Sequence, residues 1–333
     1  MPEVITFQEA VEATEGESRA LLIGNGFSID YFSYHNLREA AGLADDSPIK
    51  ALFDRLDTVD FEAVISALED AIIVEQAYGN KDHADELESD AQSVREALVT
   101  AVKATHPTHR DELASKYESA DTFISHFDTI FTLNYDLLLY WVNLRRERLN
   151  DGFGLGRISG NGRFRGPFKP DAYCHIFNLH GGLHLFETRK DEVYKAQHTH
   201  EGMLATISET IIEKKRLPLY VAEGNAKAKE RKIYASPYLR HCFGKLREQT
   251  GNIFIFGHSA DKNDAHIYHA IFGNEHIARV WFGIYQPDEA KIRDADAKLA
   301  AFHRLEGSEV PYSFFDSETA QVWDGSPEGE ETA

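Results

Sequence analysis

Residues 129–136 read Thr-Ile-Phe-Thr-Leu-Asn-Tyr-Asp, and this stretch decides the fold prediction. It begins as a short apolar strand and ends in the polar side chains Thr132, Asn134 and Asp136, just before an apolar helix over 137–144. In an open α/β sheet, buried strands carry polar side chains to their carboxyl ends, where ligands bind. A strand followed by an ordinary Asn or Asp helix cap would give the same pattern. The rest of the chain has to decide between these two interpretations.

Composition and charge exclude several classes of protein. The chain has 333 residues, 42% of them hydrophobic, which is normal for a globular protein. Its net charge of −20 argues against direct nucleic-acid binding, which needs a basic surface. We find no apolar run long enough for a transmembrane helix and no secretory signal, so we expect a cytoplasmic protein that does not insert into membranes. Its two cysteines, Cys174 and Cys242, form no CxxC pair, so reduced thiols are expected rather than a zinc module.

Three other predicted strands end, like the opening stretch, in polar or glycine-rich sequence. Residues 20–23 run into Gly24 to Ser28, residues 173–178 lead to His180 and Gly181, and residues 253–256 run into Gly257 to Asp264. Helices are predicted between the strands, which is typical of βαβ units and of a mainly parallel sheet. All four strand ends then lie on one edge of the sheet. This arrangement favours a nucleotide-sized ligand at that edge.

The predicted fold class is α/β: a Rossmann-like, mainly parallel sheet flanked by helices, with a helical insertion after the first strand. The insertion covers about 36–127, because this region contains amphipathic helices and no strand candidate. One of its helices has an apolar face at the spacing i, i+3, i+4, i+7, formed by Phe61, Val64, Ile65, Leu68 and Ile72. We expect a single domain over residues 1–323 and an acidic, disordered tail over 324–333.

Two glycine-rich segments suggest contact with an anion. Gly24 to Ser28 follows a strand and has the layout of a phosphate cradle, with a helix start directing free N–H groups at the ligand. A tight turn would explain the same Gly-x-Gly sequence. The second segment, 150–169, carries Arg157, Arg163, Arg165 and Lys169 without an intervening acid in the basic run. We interpret it as a mobile loop over the site, with a simple solvated loop as the alternative.

Four motifs, in this order, resemble those of the sirtuin-like NAD-binding superfamily. They are Gly24-Asn25-Gly26-Phe27-Ser28, Thr132-Leu133-Asn134-Tyr135-Asp136, Leu179-His180-Gly181 and Gly257-His258-Ser259. They match its glycine-rich phosphate loop, its T-x-N-x-D segment, its His-Gly pair and its late G-x-S. Segments 150–153, 221–224 and 236–239 are similar to an uncharacterised bacterial branch. The four-cysteine zinc module of protein-deacetylating sirtuins is missing here, which puts acyl-lysine removal in doubt and leaves NAD cleavage untouched.

The resemblance implies an NAD glycohydrolase that splits NAD into nicotinamide and ADP-ribose. It implies catalytic roles for His180, which would handle a proton, and for Asn134 and Asp136, which would fix nicotinamide and ribose. The residues expected to bind NAD are Gly24, Asn25, Gly26, Phe27, Ser28, Thr132, Gly257 and Ser259. No metal is expected. Some relatives destroy NAD in anti-phage defence, so we expect a regulated effector that works as a homo-oligomer or with a defence partner protein.

Other interpretations remain open at this point. The fold could bind NAD or ADP-ribose without cleaving it, as a sensor or scaffold in a larger complex. A metal-dependent phosphoesterase would also place Asp, Asn and His at strand ends, although the His-rich motifs of such enzymes are incomplete here. His180 could be a core histidine and Ser259 a helix cap. We interpret His258, His266 and His269 as surface or packing residues rather than as metal ligands.

Overall fold

The structure is a computed structural model that describes residues 2–32, 37–146, 149–154, 156–198, 202–221 and 225–324. Its strands are β1 (Val4–Thr6), β2 (Arg19–Ile23), β3 (Thr129–Thr132), β4 (Arg157–Ile158), β5 (Phe164–Gly166), β6 (Ile176–Asn178), β7 (Leu185–Glu187), β8 (Val193–Ala196), β9 (Gly251–Phe256), β10 (Ile277–Ile284) and β11 (Tyr312–Asp316). Its helices are α1 (Phe7–Glu12), α2 (Leu37–Ala40), α3 (Pro48–Arg55), α4 (Phe61–Ala77), α5 (Lys81–Thr105), α6 (Tyr117–Ile124), α7 (Leu138–Arg146), α8 (Met203–Ile212), α9 (Ala226–Ala235), α10 (Pro237–Arg247), α11 (Ala265–Phe272) and α12 (Glu289–Glu306).

Seven strands form one parallel sheet in the order β1-β11-β10-β9-β2-β3-β6. From β2 the chain moves outward to β3 and β6. It then returns to β9, on the other side of β2, and moves outward again to β10 and β11. The direction of winding therefore reverses between β2 and β9. Such a reversal leaves a crevice at the carboxyl ends of the two strands, which is where open α/β sheets bind ligands.

The central strands are buried on both faces because their sequences are continuous apolar runs. On one face, Leu21 and Ile130 pack with the inserted helices in a shared core. On the other, Leu22 and Phe131 pack with residues of α10, α11 and α12. Burying one such side chain contributes about 1.5–3 kcal/mol, so these two layers fix the sheet and the position of its carboxyl edge.

The predicted fold class is confirmed, including the helical insertion. Helices α2 to α6 all lie between β2 and β3 in the chain. Helix α4 begins after Asp60, whose carboxylate accepts a hydrogen bond from the backbone N–H of Glu62. Its buried residues are those of the predicted apolar face: Phe61, Val64, Ile65, Leu68 and Ile72.

Three predictions of secondary structure were wrong. The strand at residues 20–23 is the second in the chain, because the short β1 precedes it and pairs with β11 at the sheet edge. The mainly apolar run over residues 217–221 predicts a further strand, but these residues form only a single bridge, between Gly181 and Tyr220. The segment 150–169, predicted to be a mobile loop, contains β4 and β5, which join β8 and β7 in a small antiparallel sheet.

The C-terminal segment packs on the first thirty residues. Thr319 Oγ1 accepts a hydrogen bond from the backbone N–H of Phe7 at 2.8 Å. The indole Nε1 of Trp323 donates to the carbonyl oxygen of Phe27 at 2.5 Å, and the two rings are in contact. The C-terminal segment thus holds the loop after β2 in place through Trp323.

Apart from Asp324, the predicted tail over 324–333 lies outside the described residues. Within the described part of the chain, we find no helix with both the length and the apolar character needed to cross a membrane.

Candidate active site

A cavity of about 480 Å³ lies at the carboxyl edge of the sheet, where the winding reverses between β2 and β9. Its volume is in the usual range of small-molecule sites, roughly 300–1,000 Å³. Residues following several neighbouring strands form its walls, among them Asn25, Gly26, Leu133, Tyr135, His180, Gly257, His258, Ser259 and Tyr285. The convergence of strand ends expected from the sequence is therefore present in the structure. We call this space the sheet-edge cavity.

The glycines of the loops after β2 and β9 allow their backbones to touch. The N–H of Gly26 donates to the carbonyl oxygen of Gly257 at 2.7 Å, and that of Gly24 donates to Phe256 at 2.9 Å. A Cβ on Gly26 would lie 2.6 Å from the Cα of Gly257. Gly257 has a φ of +68°, which side chains other than glycine rarely adopt. Close packing of the two loops thus explains these glycines without a ligand.

The predicted phosphate cradle is only partly open to the cavity. Asn25 and Gly26 line it, whereas Phe27 and Ser28 are buried beneath it. Residues 25–27 form a short 3-10 helix, and the N–H groups of Gly26, Phe27 and Ser28 donate to backbone carbonyl oxygens. In this conformation those three donors do not point to a ligand. The structure leaves Asn25 and Gly26 as the members of this loop that a ligand can reach.

His180 lies in the cavity wall within a group of titratable side chains. Its Nε2 is 3.2 Å from Nε2 of His266 and 3.8 Å from Oδ1 of Asp264. Lys229 Nζ donates to the same Oδ1 at 2.8 Å, and Nε2 of His258 lies 3.4 Å from Oδ2. Asp264 therefore joins these side chains into one group. We call His180, Lys229, His258, Asp264 and His266 the His180 cluster.

Burial and charge set the protonation states of the cluster. Desolvation lowers the pKa of His180 well below 6.5, although the carboxylate of Asp264 partly opposes this. Desolvation likewise lowers the pKa of His266 to about 4. Burial raises the pKa of Asp264, but the hydrogen bond with His258 and the charge of Lys229 outweigh it and hold that pKa well below its usual range. At neutral pH His180 is thus a neutral imidazole beside a charged carboxylate.

The hydrogen bonds of His258 fix its tautomer. Its Nδ1 accepts from the backbone N–H of Ala260 at 3.1 Å and lies 2.7 Å from the hydroxyl of Tyr268. Nδ1 is therefore the acceptor, so Nε2 carries the proton and faces Asp264. The prediction that His258 and His266 are surface or packing residues was incomplete, because both belong to the His180 cluster.

The structure does not bring Asn134 and Asp136 to the cavity that His180 lines. With Thr132, they line a separate void of about 20 Å³ on the other side of the strand end. Asn134 Nδ2 donates to Ser28 Oγ at 3.0 Å, which braces the loop after β2. Asp136 Oδ1 accepts from the backbone N–H of Leu138 at 2.7 Å at the start of α7. The helix-cap interpretation therefore holds for Asp136, whereas a catalytic role for either residue stays a prediction.

The remaining predicted site residues differ in position. Ser259 and Gly257 line the cavity, and Ser259 is exposed to solvent. Gly24 is close to the cavity lining, because it contacts the backbone of Gly257. Lys229 was not among the predicted site residues, because α9 was not predicted, and Asp264 was predicted only as the end of the segment that begins at Gly257. Asp264 could have been found, since it lies in that strand-end segment.

Three members of the His180 cluster offer ligand atoms within 4.8 Å of one another: His180, Asp264 and His266. Two imidazoles and a carboxylate are a common set for a divalent transition metal. However, Lys229 contacts the same carboxylate oxygen and already balances its charge. A divalent ion at this point would be repelled by the buried ammonium. The arrangement thus fits proton transfer and charge stabilisation better than metal binding.

The chain matches a family of known sequences. A family model described as a domain of unknown function, DUF4917, matches residues 21–323. This range includes all residues of the His180 cluster and those of the sheet-edge cavity. No curated protein matches the chain.

Proposed function

The chain belongs to the DUF4917 family, and we propose that it binds NAD in the sheet-edge cavity and hydrolyses the bond between nicotinamide and ribose. The proposal rests on the position of the cavity, which lies at the switch point between β2 and β9 and has His180 in its wall. Open α/β sheets bind nucleotides at such points. Each of the four motifs that resemble the sirtuin-like superfamily contributes at least one residue to the cavity lining.

The chemistry needs a stabilised cation and an acceptor for one proton. When the bond breaks, its electron pair returns to the cationic nicotinamide ring, which leaves as a neutral molecule. The ribose carbon becomes oxocarbenium-like, and Asp264, whose Oδ1 lies 3.8 Å from Nε2 of His180, stabilises the imidazolium that forms when His180 takes up a proton. Water then bonds to that carbon, and neutral His180 accepts its proton and passes it to solvent. The products are nicotinamide, ADP-ribose and one proton.

In this proposal Asn134 and Asp136 are positioning residues. Asn134 holds the Ser28 loop, and Asp136 orients the start of α7. Neither needs to touch NAD for the reaction described above. Regulation by assembly, by a partner protein or by a ligand belongs to the proposal, because unregulated loss of NAD is toxic to a cell. The role as a defence effector is supported by the resemblance alone.

The test is incubation of purified protein with NAD, with nicotinamide and ADP-ribose followed by chromatography. We expect turnover, and we expect His180→Ala to lose about 10²- to 10⁴-fold in rate, the usual contribution of a positioned base. His276→Ala is the matched control, because His276 is exposed and lies just before β10, at the opposite edge of the sheet.

Other outcomes distinguish the alternatives. NAD that binds but stays intact, with and without partner proteins, would identify a sensor rather than an enzyme. Activity that disappears on adding a chelator would favour metal-dependent chemistry. A His180→Ala variant as fast as the parent would remove His180 from the mechanism.

A further inference from the structure

A second cleft, of about 930 Å³, lies between the inserted helices and the β7–β8 hairpin. It shares no lining residue with the sheet-edge cavity. Its walls come from α4, α5, the turn after β7 and residues 213–219. Apolar side chains such as Ile72 and Leu217 form part of the lining, and charged side chains surround them. We call this space the insertion cleft.

Arg95 is the feature of the insertion cleft that points to a ligand. Its side chain is 2% exposed, and its Nη2 is paired with Glu69. Nε and Nη1 have no hydrogen-bond partner among the described residues. Buried donors on a charged group are costly when unpaired, so native structures normally supply an acceptor. An anion in the cleft would provide it once the side chains that cover these two nitrogens move aside.

Two further guanidinium groups line the insertion cleft. Arg189 and Arg216 are exposed, and their side chains have no hydrogen bond or ion pair within the described part of the chain. Lys214 and Lys215, which directly precede Arg216, pair with Glu209 and Glu88. Guanidinium groups match the geometry of phosphate oxygens. Three of them around one partly apolar cleft fit a small organic phosphate.

The acidic residues of the cleft narrow the class of ligand. Six acidic residues line it: Glu62, Glu69, Glu88, Glu187, Asp191 and Glu213. The first three pair with Lys232, Arg95 and Lys215, and the whole chain carries a net charge of −20. These charges repel a long polyanion such as nucleic acid. They are compatible with a compact ligand whose phosphates reach Arg95 and whose organic part covers the apolar lining.

Two connections lead from the insertion cleft to the His180 cluster. Residues 217–219 line the cleft and continue to Val221, whose N–H donates to the carbonyl oxygen of His180 at 2.9 Å. In α9, Lys232 pairs with Glu62 in the cleft wall, while Lys229, one turn earlier, pairs with Asp264. A ligand that shifts α4 against these elements therefore changes the position of the cluster.

We propose that the insertion cleft binds a small organic phosphate through Arg95 and thereby regulates the sheet-edge cavity. The binding part stands on the cleft alone, whereas the regulatory part rests on the proposed NAD-cleaving function. The two parts are tested by separate measurements.

Binding is measured by isothermal titration calorimetry with ADP and with inorganic pyrophosphate as probes. We expect Arg95→Met to weaken binding about ten- to hundredfold, the usual effect of losing a hydrogen bond to a charged group. Arg216→Ser, an exposed substitution that leaves the fold intact, should weaken binding in the same direction. Lys103→Met, on the exposed face of the same helix, is the matched control and should leave it unchanged.

His180→Ala separates the two sites, because His180 lines the sheet-edge cavity and not the insertion cleft. Probe binding that is lost in His180→Ala and retained in Arg95→Met and Arg216→Ser would place the ligand in the other cavity and overturn the proposal. Absence of binding of either probe at millimolar concentration would overturn it too. A change in NAD cleavage on adding pyrophosphate, abolished by Arg216→Ser, supports the regulation, and unchanged cleavage refutes it. Failure to cleave NAD with intact probe binding refutes only the proposed function.

Unfolding temperature distinguishes ligand binding from a structural role of Arg95. If Arg95 is held for a ligand, replacing it by the apolar Met should leave the ligand-free unfolding temperature unchanged or raise it, since two unpaired buried donors disappear. A lower unfolding temperature together with unchanged probe binding would show a purely structural role.

Discussion

The ion pair between Lys229 and Asp264 is predicted to stabilise both the fold and the site. Nζ and Oδ1 are 2.8 Å apart, which corresponds to about 6 kcal/mol of attraction at an effective dielectric constant of about 20. Much of this offsets the cost of removing both charges from water, since the two side chains are only 3% and 14% exposed. Removing one partner leaves the other charge buried alone. We therefore expect Lys229→Met and Asp264→Asn each to lower the free energy of unfolding by about 3–5 kcal/mol.

The double variant tests this reasoning. With both charges gone, no unpaired charge remains, so its loss should be smaller than the sum of the single losses by about 3 kcal/mol. The assay is equilibrium urea unfolding at neutral pH, followed by tryptophan fluorescence, for the parent and the three variants. Lys245→Met, whose partner is Glu248 on the surface, is the control and should cost at most about 1 kcal/mol. Additive losses, or a Lys229→Met loss no larger than the control, would refute a buried, coupled pair.

Three further predictions use other features. Burial lowers the pKa of His184 to about 3 and of His266 to about 4, so between pH 6.5 and 5 the unfolded chain binds protons that the folded chain excludes. Stability should fall by about 2 kcal/mol per histidine over this range, and urea unfolding with no difference between pH 7 and pH 5 would contradict it. Gly257→Ala should destabilise far more than Gly307→Ala, because both have positive φ but only the first would clash with an opposite loop; equal melting temperatures would disprove this. Asp136→Ala should cost about 0.5–2 kcal/mol through the lost cap of α7 and leave NAD affinity unchanged; loss of NAD binding in the folded variant would restore its predicted contact with the ligand.

The centre of the sheet could be predicted from the sequence because local signals there agree with the tertiary structure. Residues 253–256 form an unbroken apolar run that is followed by glycine. Both features can be read locally, without knowing which parts of the chain pack around them. Strands β1 and β11 carry no comparable signal. Each is a few residues long, and each is a strand because it pairs with the other or with β10. That pairing depends on distant parts of the chain, so a local pattern does not reveal it.

The position of the site was predictable, but its side chains were only partly so. Glycines and polar residues after parallel strands indicate the correct edge, and they identify His180. Successive side chains after β3 face opposite sides, so Asn134 faces away from the side of Leu133 and Tyr135. The sequence does not show which of these two sides borders the cavity. The structure opens the side of Leu133 and Tyr135. Lys229 reaches the site only through the packing of α9, a helix that was not predicted and whose position depends on tertiary contacts.

The contact between the C-terminal segment and the loop after β2 sets the order in which the protein can be completed during synthesis. Ser317 belongs to the wall of the sheet-edge cavity, and Trp323 holds Phe27 beneath it. Strand β1 can join the sheet only after β11 has been synthesised, because β11 is the strand with which it pairs. A nascent chain therefore lacks a finished cavity until β11 and the segment after it have left the ribosome. Under the proposed NAD-cleaving function, this delay would keep chains that lack β11 inactive.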